Sequence, residues 1–238
     1  MKKLMAFLLL GSLLTSSCGF RGKRVRGNGN VRSEQRSLSG FQAVQSNGDF
    51  DVYVSTGPES VKIEGEDNLL SYIETSVEGG MLKIRTRPGY WLNTERGVKV
   101  YVSAPQYNRI ESNGAGDIIG QSKISGSSKL ELEVNGSADI KAEVDAPEVS
   151  AHLRGSGDAT LSGETKTFSG EILGSGNIKA LDLKSEETNV KIVGSGDADV
   201  YSSVKLEVSV AGSGDVRYKG GAQVNSHIAG SGGVHKLD

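Results

Sequence analysis

Cysteine, proline, aromatic residues and long apolar runs are all scarce in this sequence. Its 238 residues include one cysteine and four prolines, and only 5% are aromatic. A single cysteine excludes an internal disulfide, and a scarcity of large aromatic side chains is more typical of stacked repeats than of a compact globule. The 27 basic and 29 acidic side chains give a formal net charge of −2, which argues against a nucleic-acid partner.

The one marked apolar run lies at the N-terminus, in residues 4–14, directly after Lys2 and Lys3. It is too short to cross a bilayer, and small residues lead from it to Cys18, the single cysteine. This order predicts a lipoprotein signal peptide over residues 1–17, with Cys18 lipidated as the first mature residue. An ordinary secretory signal is the alternative. We therefore expect a cell-envelope protein, anchored by lipid to the outer membrane and facing the periplasm or the surface.

Basic side chains dominate the next stretch, residues 18–36, which holds six of them against one acid, Glu34. Its glycines and its few apolar residues predict a flexible tether. Positive charge beside a lipid anchor would either contact anionic headgroups or simply solvate the spacer, and the sequence leaves both open.

A repeated turn motif is the main feature of the rest of the chain. A pattern close to Gly-Ser-Gly-Asp occurs seven times, at steps of 22, 19, 19, 20, 18 and 18 residues. The first glycines of the copies are Gly114, Gly136, Gly155, Gly174, Gly194, Gly212 and Gly230. Because glycine reaches positive φ freely, each copy predicts a sharp turn, in which Asp or Asn would bond the nearby backbone. A related glycine, Gly48, lies 66 residues before Gly114, or three steps of 22.

Apolar and polar residues alternate between these turns. Leu206 and Val208 precede one turn, for example, and Val216 follows it. A period of two predicts short strands with one apolar face. Since one repeat cannot bury that face alone, we predict an all-β fold in which coils stack as a right-handed parallel β-helix, or β-solenoid, over residues 108–238.

Residues 37–107 are less regular, although they also alternate. Terminal repeats of a stack are usually atypical because they cover the open core. We therefore interpret residues 37–107 as an irregular N-terminal β region of the same solenoid, with one helical turn at residues 67–72. A separate small β-sandwich is the alternative.

Four features combine into a resemblance. They are the lipoprotein start, the segment Phe-Gln-Ala-Val-Gln-Ser-Asn-Gly-Asp-Phe-Asp-Val-Tyr-Val at residues 41–54, the segment Asp-Asn-Leu-Leu at residues 67–70, and the Gly-Ser-Gly-Asp ladder. Together they resemble the bacterial “putative auto-transporter adhesin, head GIN domain” family, common in Bacteroidetes-type envelopes. The resemblance covers nearly all of residues 37–238. It implies a β-helix-like fold and an envelope location, and it offers no catalytic residues.

No pattern in the sequence predicts a catalytic site, a metal site or a cofactor. Calcium β-rolls repeat every nine residues, about half the period found here. A polysaccharide lyase or hydrolase needs clustered carboxylates in a cleft, and short repeat loops leave little to build one. The three histidines, His152, His227 and His235, are scattered, so we expect solvent-facing strand residues instead of metal ligands.

An aromatic pair, Tyr90 and Trp91, lies in a glycine- and proline-containing segment at residues 85–96. This segment would either cover the open end of the core or contact a sugar or protein. In the second case, Tyr90 and Trp91 form the candidate binding patch. The sequence therefore favours a non-enzymatic, adhesin-like interaction module that contacts a glycan or protein, and a carbohydrate-active β-helix enzyme is the alternative.

Overall fold

The computed structural model of the protein describes residues 22–238, whose regular structure is almost entirely β. The strands of the N-terminal part are β1 (Lys23–Arg26), β2 (Val31–Arg36), β3 (Ala43–Asn47), β4 (Phe50–Thr56), β5 (Ser60–Glu66), β6 (Ile73–Glu78), β7 (Met81–Thr86), β8 (Tyr90–Asn93) and β9 (Val98–Ala104). Helix α1 (Asp67–Leu70) follows β5, at the predicted helical turn. No helix within residues 22–238 has the length and apolarity needed to cross a bilayer.

The strands of the repeat part follow in a regular series. They are β10 (Arg109–Gly114), β11 (Ile118–Gly120), β12 (Ile124–Ser125), β13 (Lys129–Gly136), β14 (Ile140–Asp145), β15 (Glu148–Gly155), β16 (Ala159–Gly174), β17 (Ile178–Gly194), β18 (Ala198–Tyr201), β19 (Lys205–Gly212), β20 (Val216–Lys219), β21 (Gln223–Gly230) and β22 (Val234–Lys236). β16 and β17 are long because each runs without a break from just after one glycine turn to the first glycine of the next turn, Gly174 or Gly194.

The repeats stack in parallel, and their turns lie directly above one another. The register places the first glycine of each copy opposite the first glycine of the next, so the chain completes six turns between Gly114 and Gly230. The predicted parallel β-solenoid is therefore confirmed.

One continuous apolar core runs through the stack. In β14, Ile140, Ala142 and Val144 are buried while the residues between them are exposed, as the alternation predicted. The same buried cluster includes Ile63 and Leu82 of the N-terminal part together with Leu130 and Leu132 of the repeats. Residues 37–107 thus share one buried core with the repeats.

The N-terminal part does not, however, add three ordinary coils before Gly114. β3 pairs directly with β10, with Asn47 opposite Asn113, although 66 residues separate them. The backbone N–H of Gly48 donates to the carbonyl of Asn113 at 3.0 Å. Gly48 and Gly114 therefore occupy neighbouring coils, and the spacing of three times 22 does not represent three turns.

The intervening strands instead form a cap on the first coil. β7 pairs in parallel with β3, and β9 pairs in parallel with β4, so this layer follows the first coil in sequence but lies outside it. Antiparallel pairs then extend the cap, with β5 on β9, β2 on β5 and β6 on β7. This arrangement covers the end of the core that parallel stacking would leave open.

The chain before the first coil also differs from the prediction of a flexible tether over residues 18–36. From Lys23 onward it forms two paired strands, since β1 pairs in parallel with β8 and β2 pairs antiparallel with β5. The basic side chains of this stretch are consequently held on an ordered surface. The predicted signal peptide and Cys18 lie outside the described residues.

Candidate functional site

The corner of each coil is built on a column of glycines that has no room for side chains. Gly194 has φ +138°, and a Cβ there would lie 2.0 Å from the carbonyl oxygen of Gly174 one coil earlier. Gly174 has the same relation to Gly155, at 2.2 Å with φ +140°. Positive φ and close backbone approach together require glycine at the first position of the motif.

The aspartates of the motif form a second column, whose hydrogen bonds run between coils. Each carboxyl or amide Oδ1 accepts a hydrogen bond from the backbone N–H at the equivalent position of the next coil, at 2.7–3.2 Å. The accepting residues are Asp51, Asp117, Asp139, Asp158, Asn177, Asp197 and Asp215. The prediction that these side chains hydrogen-bond the backbone of their own turn is therefore wrong, because the donor N–H lies one coil away.

This geometry explains the two departures from aspartate. An amide oxygen accepts a hydrogen bond as a carboxylate does, so Asn177 takes the N–H of Asp197 at 3.0 Å. Gly233 donates its own N–H to Asp215 at 2.7 Å and, lacking a side chain, ends the column. The column acts as a ladder that fixes coil register, and no group of three or more His, Cys, Asp or Glu within residues 22–238 is arranged to hold a metal ion.

A charged network covers the outward face of the strands that precede the corners. Arg109 lies within ion-pair distance of three carboxylates, with Nη2 3.2 Å from Glu111, Nη1 3.1 Å from Glu131 and Nη2 2.5 Å from Glu133. Glu133 also accepts a short hydrogen bond from Arg154. Glu111 and Glu133 are only 7% exposed, so this network is partly shielded from water.

The network stabilises the charged forms of its members. Burial alone would raise the pKa of Glu133, but the hydrogen bond from Asn135 and the nearby arginines outweigh burial and lower that pKa. Burial likewise opposes the charge of Arg109, yet the surrounding carboxylates raise its pKa. The ion pairs therefore tie β10, β13 and β15 together across the sheet.

His152 belongs to this network instead of facing solvent freely. Its Nδ1 lies 3.3 Å from Glu171 and its Nε2 lies 3.7 Å from Glu131. Glu171 in turn accepts a hydrogen bond from Lys191 at 2.7 Å, which is the main cause that lowers its pKa. His227 continues the same column further along the stack, but the intervening coils separate it from His152.

Towards the C-terminal coils the same face carries fewer charges and is more exposed. Asn189, Glu207 and Asn225 follow one another in register, beside the register pair of Ser209 and His227. Together with neighbouring residues they line a shallow depression of about 200 Å³. Amide, hydroxyl and imidazole groups at fixed strand spacing offer both donors and acceptors to a polar ligand.

The aromatic pair lies on the small ribbon formed by β1 and β8. Tyr90 packs against Tyr72, with ring centroids 4.7 Å apart, and Leu92 packs against the main core. Trp91 is 55% exposed and, in the register of the ribbon, lies opposite Arg24. The ribbon therefore covers part of the core through Tyr90 and Leu92, and it presents Trp91 at the surface.

A groove of about 510 Å³ runs beside the ribbon. Its walls include Tyr90, Trp91 and Leu92 from β8, and Gly48 and Phe50 from the first corner. The structure thus brings the predicted patch, Tyr90 and Trp91, next to the first turn of the solenoid.

Glu66 fixes the ribbon to the body. It is fully buried, and its carboxylate accepts hydrogen bonds from the N–H of Gly29 at 2.8 Å, the hydroxyl of Thr94 at 2.6 Å and the N–H of Glu95 at 3.1 Å. These bonds, the one from Thr94 foremost, lower the pKa of Glu66. One carboxylate therefore holds both the turn after β1 and the loop after β8.

The sequence matches a known family over most of its length. The model of the “putative auto-transporter adhesin, head GIN domain” family matches residues 40–222, and the chain belongs to this family. No curated protein matches the chain. Family membership indicates an adhesin-like protein associated with the envelope or cell surface.

Solved structures share the fold. A putative adhesin from Bacteroides fragilis superposes with a TM-score of 0.85 at 19% identity, over 90% of this chain and 100% of that one. A putative adhesin from Parabacteroides merdae gives 0.72 at 20% identity, over 91% and 100%. A putative lipid binding protein from Parabacteroides distasonis gives 0.69 at 24% identity, also over 91% and 100%.

Proposed function

We propose that this protein is a non-enzymatic, adhesin-like module, lipidated at Cys18 and held at the outer membrane, that presents one face of its solenoid to a glycan or protein. The observation that carries the proposal is the outward face of the stacked strands from β10 to β21. It is formed by in-register strands joined by tight corners, so its polar side chains stand at regular spacing on a rigid surface.

Within this face, the C-terminal coils are the best contact surface. The carboxylates near Arg109 are already paired with arginines, which leaves them few free acceptors for a ligand. Asn189, Asn225 and His227, by contrast, are exposed around the shallow depression. A shallow polar surface favours many weak contacts, and repetition of the module on the cell would raise the total avidity.

The proposed anchor lies at the other end of the chain. Lipidation at Cys18 would leave four residues before Gly22, where the described chain begins. The ordered part would then start close to the membrane, with the C-terminal coils on the far side of the stack. Tyr90 and Trp91 remain a proposed contact patch, and their closeness to Cys18 bears on what they contact.

The proposal is tested by mass spectrometry, by release from membranes and by glycan binding. Mass spectrometry of the membrane fraction should find a diacylated or triacylated Cys18, and Cys18→Ala should release the protein from membranes. A glycan array probed with the purified chain should show binding that falls in the double variant Asn225→Ala/His227→Ala.

The matched control is the double variant Lys141→Ala/Thr160→Ala, on the outward face after the corner, which should bind normally. Equal loss in both double variants would contradict the assignment of the face. Polysaccharide turnover by the purified chain, abolished by replacing one acid, would contradict the non-enzymatic role.

A further inference from the structure

Strand β1 of the β1–β8 ribbon lies close in sequence to the proposed lipid anchor. Lys23 follows Cys18 by five residues, which span at most about 18 Å when fully extended. The ribbon is fixed at this point, because the N–H of Lys23 donates to the carbonyl of Gly89 at 2.8 Å. A lipid on Cys18 would therefore hold the ribbon near the headgroup layer.

The exposed surface of the ribbon has the chemistry of a membrane interface. Trp91 is 55% exposed, and the register places Arg24 opposite it and Lys23 opposite Tyr90. Lys23 and Arg24 are both exposed. Tryptophan is enriched at the level of lipid headgroups, and each basic residue near an anionic leaflet adds attraction.

The ribbon is also rigid enough to act as a contact surface. Glu66 binds the backbone after β1 and after β8, and Leu92 packs on the core. A surface fixed in this way determines the orientation of the attached solenoid, whereas a flexible tether would not.

We propose that Trp91 and Arg24, which share one face of the β1–β8 ribbon, dock into the headgroup layer of a membrane carrying anionic lipid, with the exposed Lys23 at the start of β1 adding attraction, so that the N-terminal end of the solenoid rests on the bilayer. This inference depends on the proposed lipidation of Cys18. A glycan or protein ligand at Trp91 is disfavoured because a lipid on Cys18 would hold Lys23, and with it the ribbon, close to the headgroup layer. The groove beside Trp91 then forms part of the surface that contacts the membrane.

Trp91 is the only tryptophan of the chain, so intrinsic fluorescence reports on this surface alone. The lipidated full-length mature protein is reconstituted into vesicles of phosphatidylethanolamine with phosphatidylglycerol. We expect blue-shifted Trp91 emission that brominated lipids quench and soluble iodide does not. In phosphatidylcholine vesicles, or in Lys23→Gln/Arg24→Gln, quenching by brominated lipid should fall severalfold, since each basic residue near the surface contributes about fivefold to binding.

The matched control is Lys219→Gln/Lys236→Gln, which removes the same charge from exposed lysines of the C-terminal coils. It should leave the quenching unchanged, and circular dichroism should show the same strand content in all variants. Trp91 emission that iodide quenches and brominated lipid does not, on a protein whose Cys18 lipid is verified by mass spectrometry, would overturn the docking while leaving the anchor intact. A shift produced by soluble oligosaccharide without vesicles would overturn it in favour of a glycan site.

Discussion

The corner glycines allow a quantitative test of the stacked-coil account. Gly194 combines φ +138° with backbone of the preceding coil 2.0 Å from where its Cβ would lie. Gly194→Ala must therefore either push away the carbonyl of Gly174 or change its own φ. That carbonyl accepts the N–H of Ser195 at 3.0 Å, so moving it breaks a bond between coils.

The size of the effect follows from these two terms. Holding a non-glycine residue in this φ region costs about 1–3 kcal/mol. A backbone group left without its partner inside the ladder costs about 1–3 kcal/mol more. We expect Gly194→Ala to lower the free energy of unfolding by about 2–6 kcal/mol, a large share of the ~5–15 kcal/mol typical of folded proteins.

Chemical denaturation followed by circular dichroism measures this loss. Gly221→Ala is the control, because φ of Gly221 is not positive and its nearest contact is the carbonyl of Ser203 at 3.6 Å, so it should change stability by less than about 0.5 kcal/mol. Gly176→Ala separates the two terms, since Gly176 meets the carbonyl of Gly157 at 2.0 Å without positive φ. A loss below about 1 kcal/mol in Gly194→Ala would refute the reasoning.

Three further predictions concern the carboxylates. Asp158→Ala should lower the free energy of unfolding, measured by denaturation, by about 1–3 kcal/mol because the N–H of Asn177 loses its acceptor. Asp158→Asn should retain most of the stability, and equal losses in the two variants would contradict the ladder. Folding lowers the pKa of Glu133. Its contribution to the free energy of unfolding is therefore complete above the ordinary pKa of 4.5 and is lost as pH falls through the lower pKa of the folded state. The melting temperature should therefore fall in acid, and it should fall less in Glu133→Gln. Glu66→Ala should speed hydrogen exchange in β1 and β8 while the repeat strands stay protected, and uniform acceleration would argue against a local anchor.

Much of the fold could be predicted because a fixed period carries two kinds of information at once. The alternation identified the buried residues, and the glycine spacing identified which turns stack. The charged network was missed although the same spacing contains it. Counting three residues back from each corner glycine gives Glu111, Glu133, His152, Glu171 and Lys191, which the register places in one column.

Other features could not be read from the period. The partner of each aspartate is a backbone N–H one coil away, and the turn motif alone is equally compatible with a bond inside the turn. The 66-residue spacing between Gly48 and Gly114 fitted three coils, but pairing of β7 and β9 outside the first coil depends on tertiary contacts. The ordered β1 was missed because its order comes from Glu66 and β8, both distant in sequence.

The two ends of the stack are protected by different means. The N-terminal end is covered by the cap of β5, β7 and β9, whereas Ile228 in β21 is 36% exposed. An edge of this kind invites pairing with another copy, since its strands match the parallel register of the coils before them. Gly233 opposes such pairing. Asp215 supplies a side-chain oxygen to the N–H of Gly233, but Gly233 has no side chain that could accept a hydrogen bond from a further coil. Gly233, which departs most from the motif, is thus the residue at which the ladder of the described coils stops.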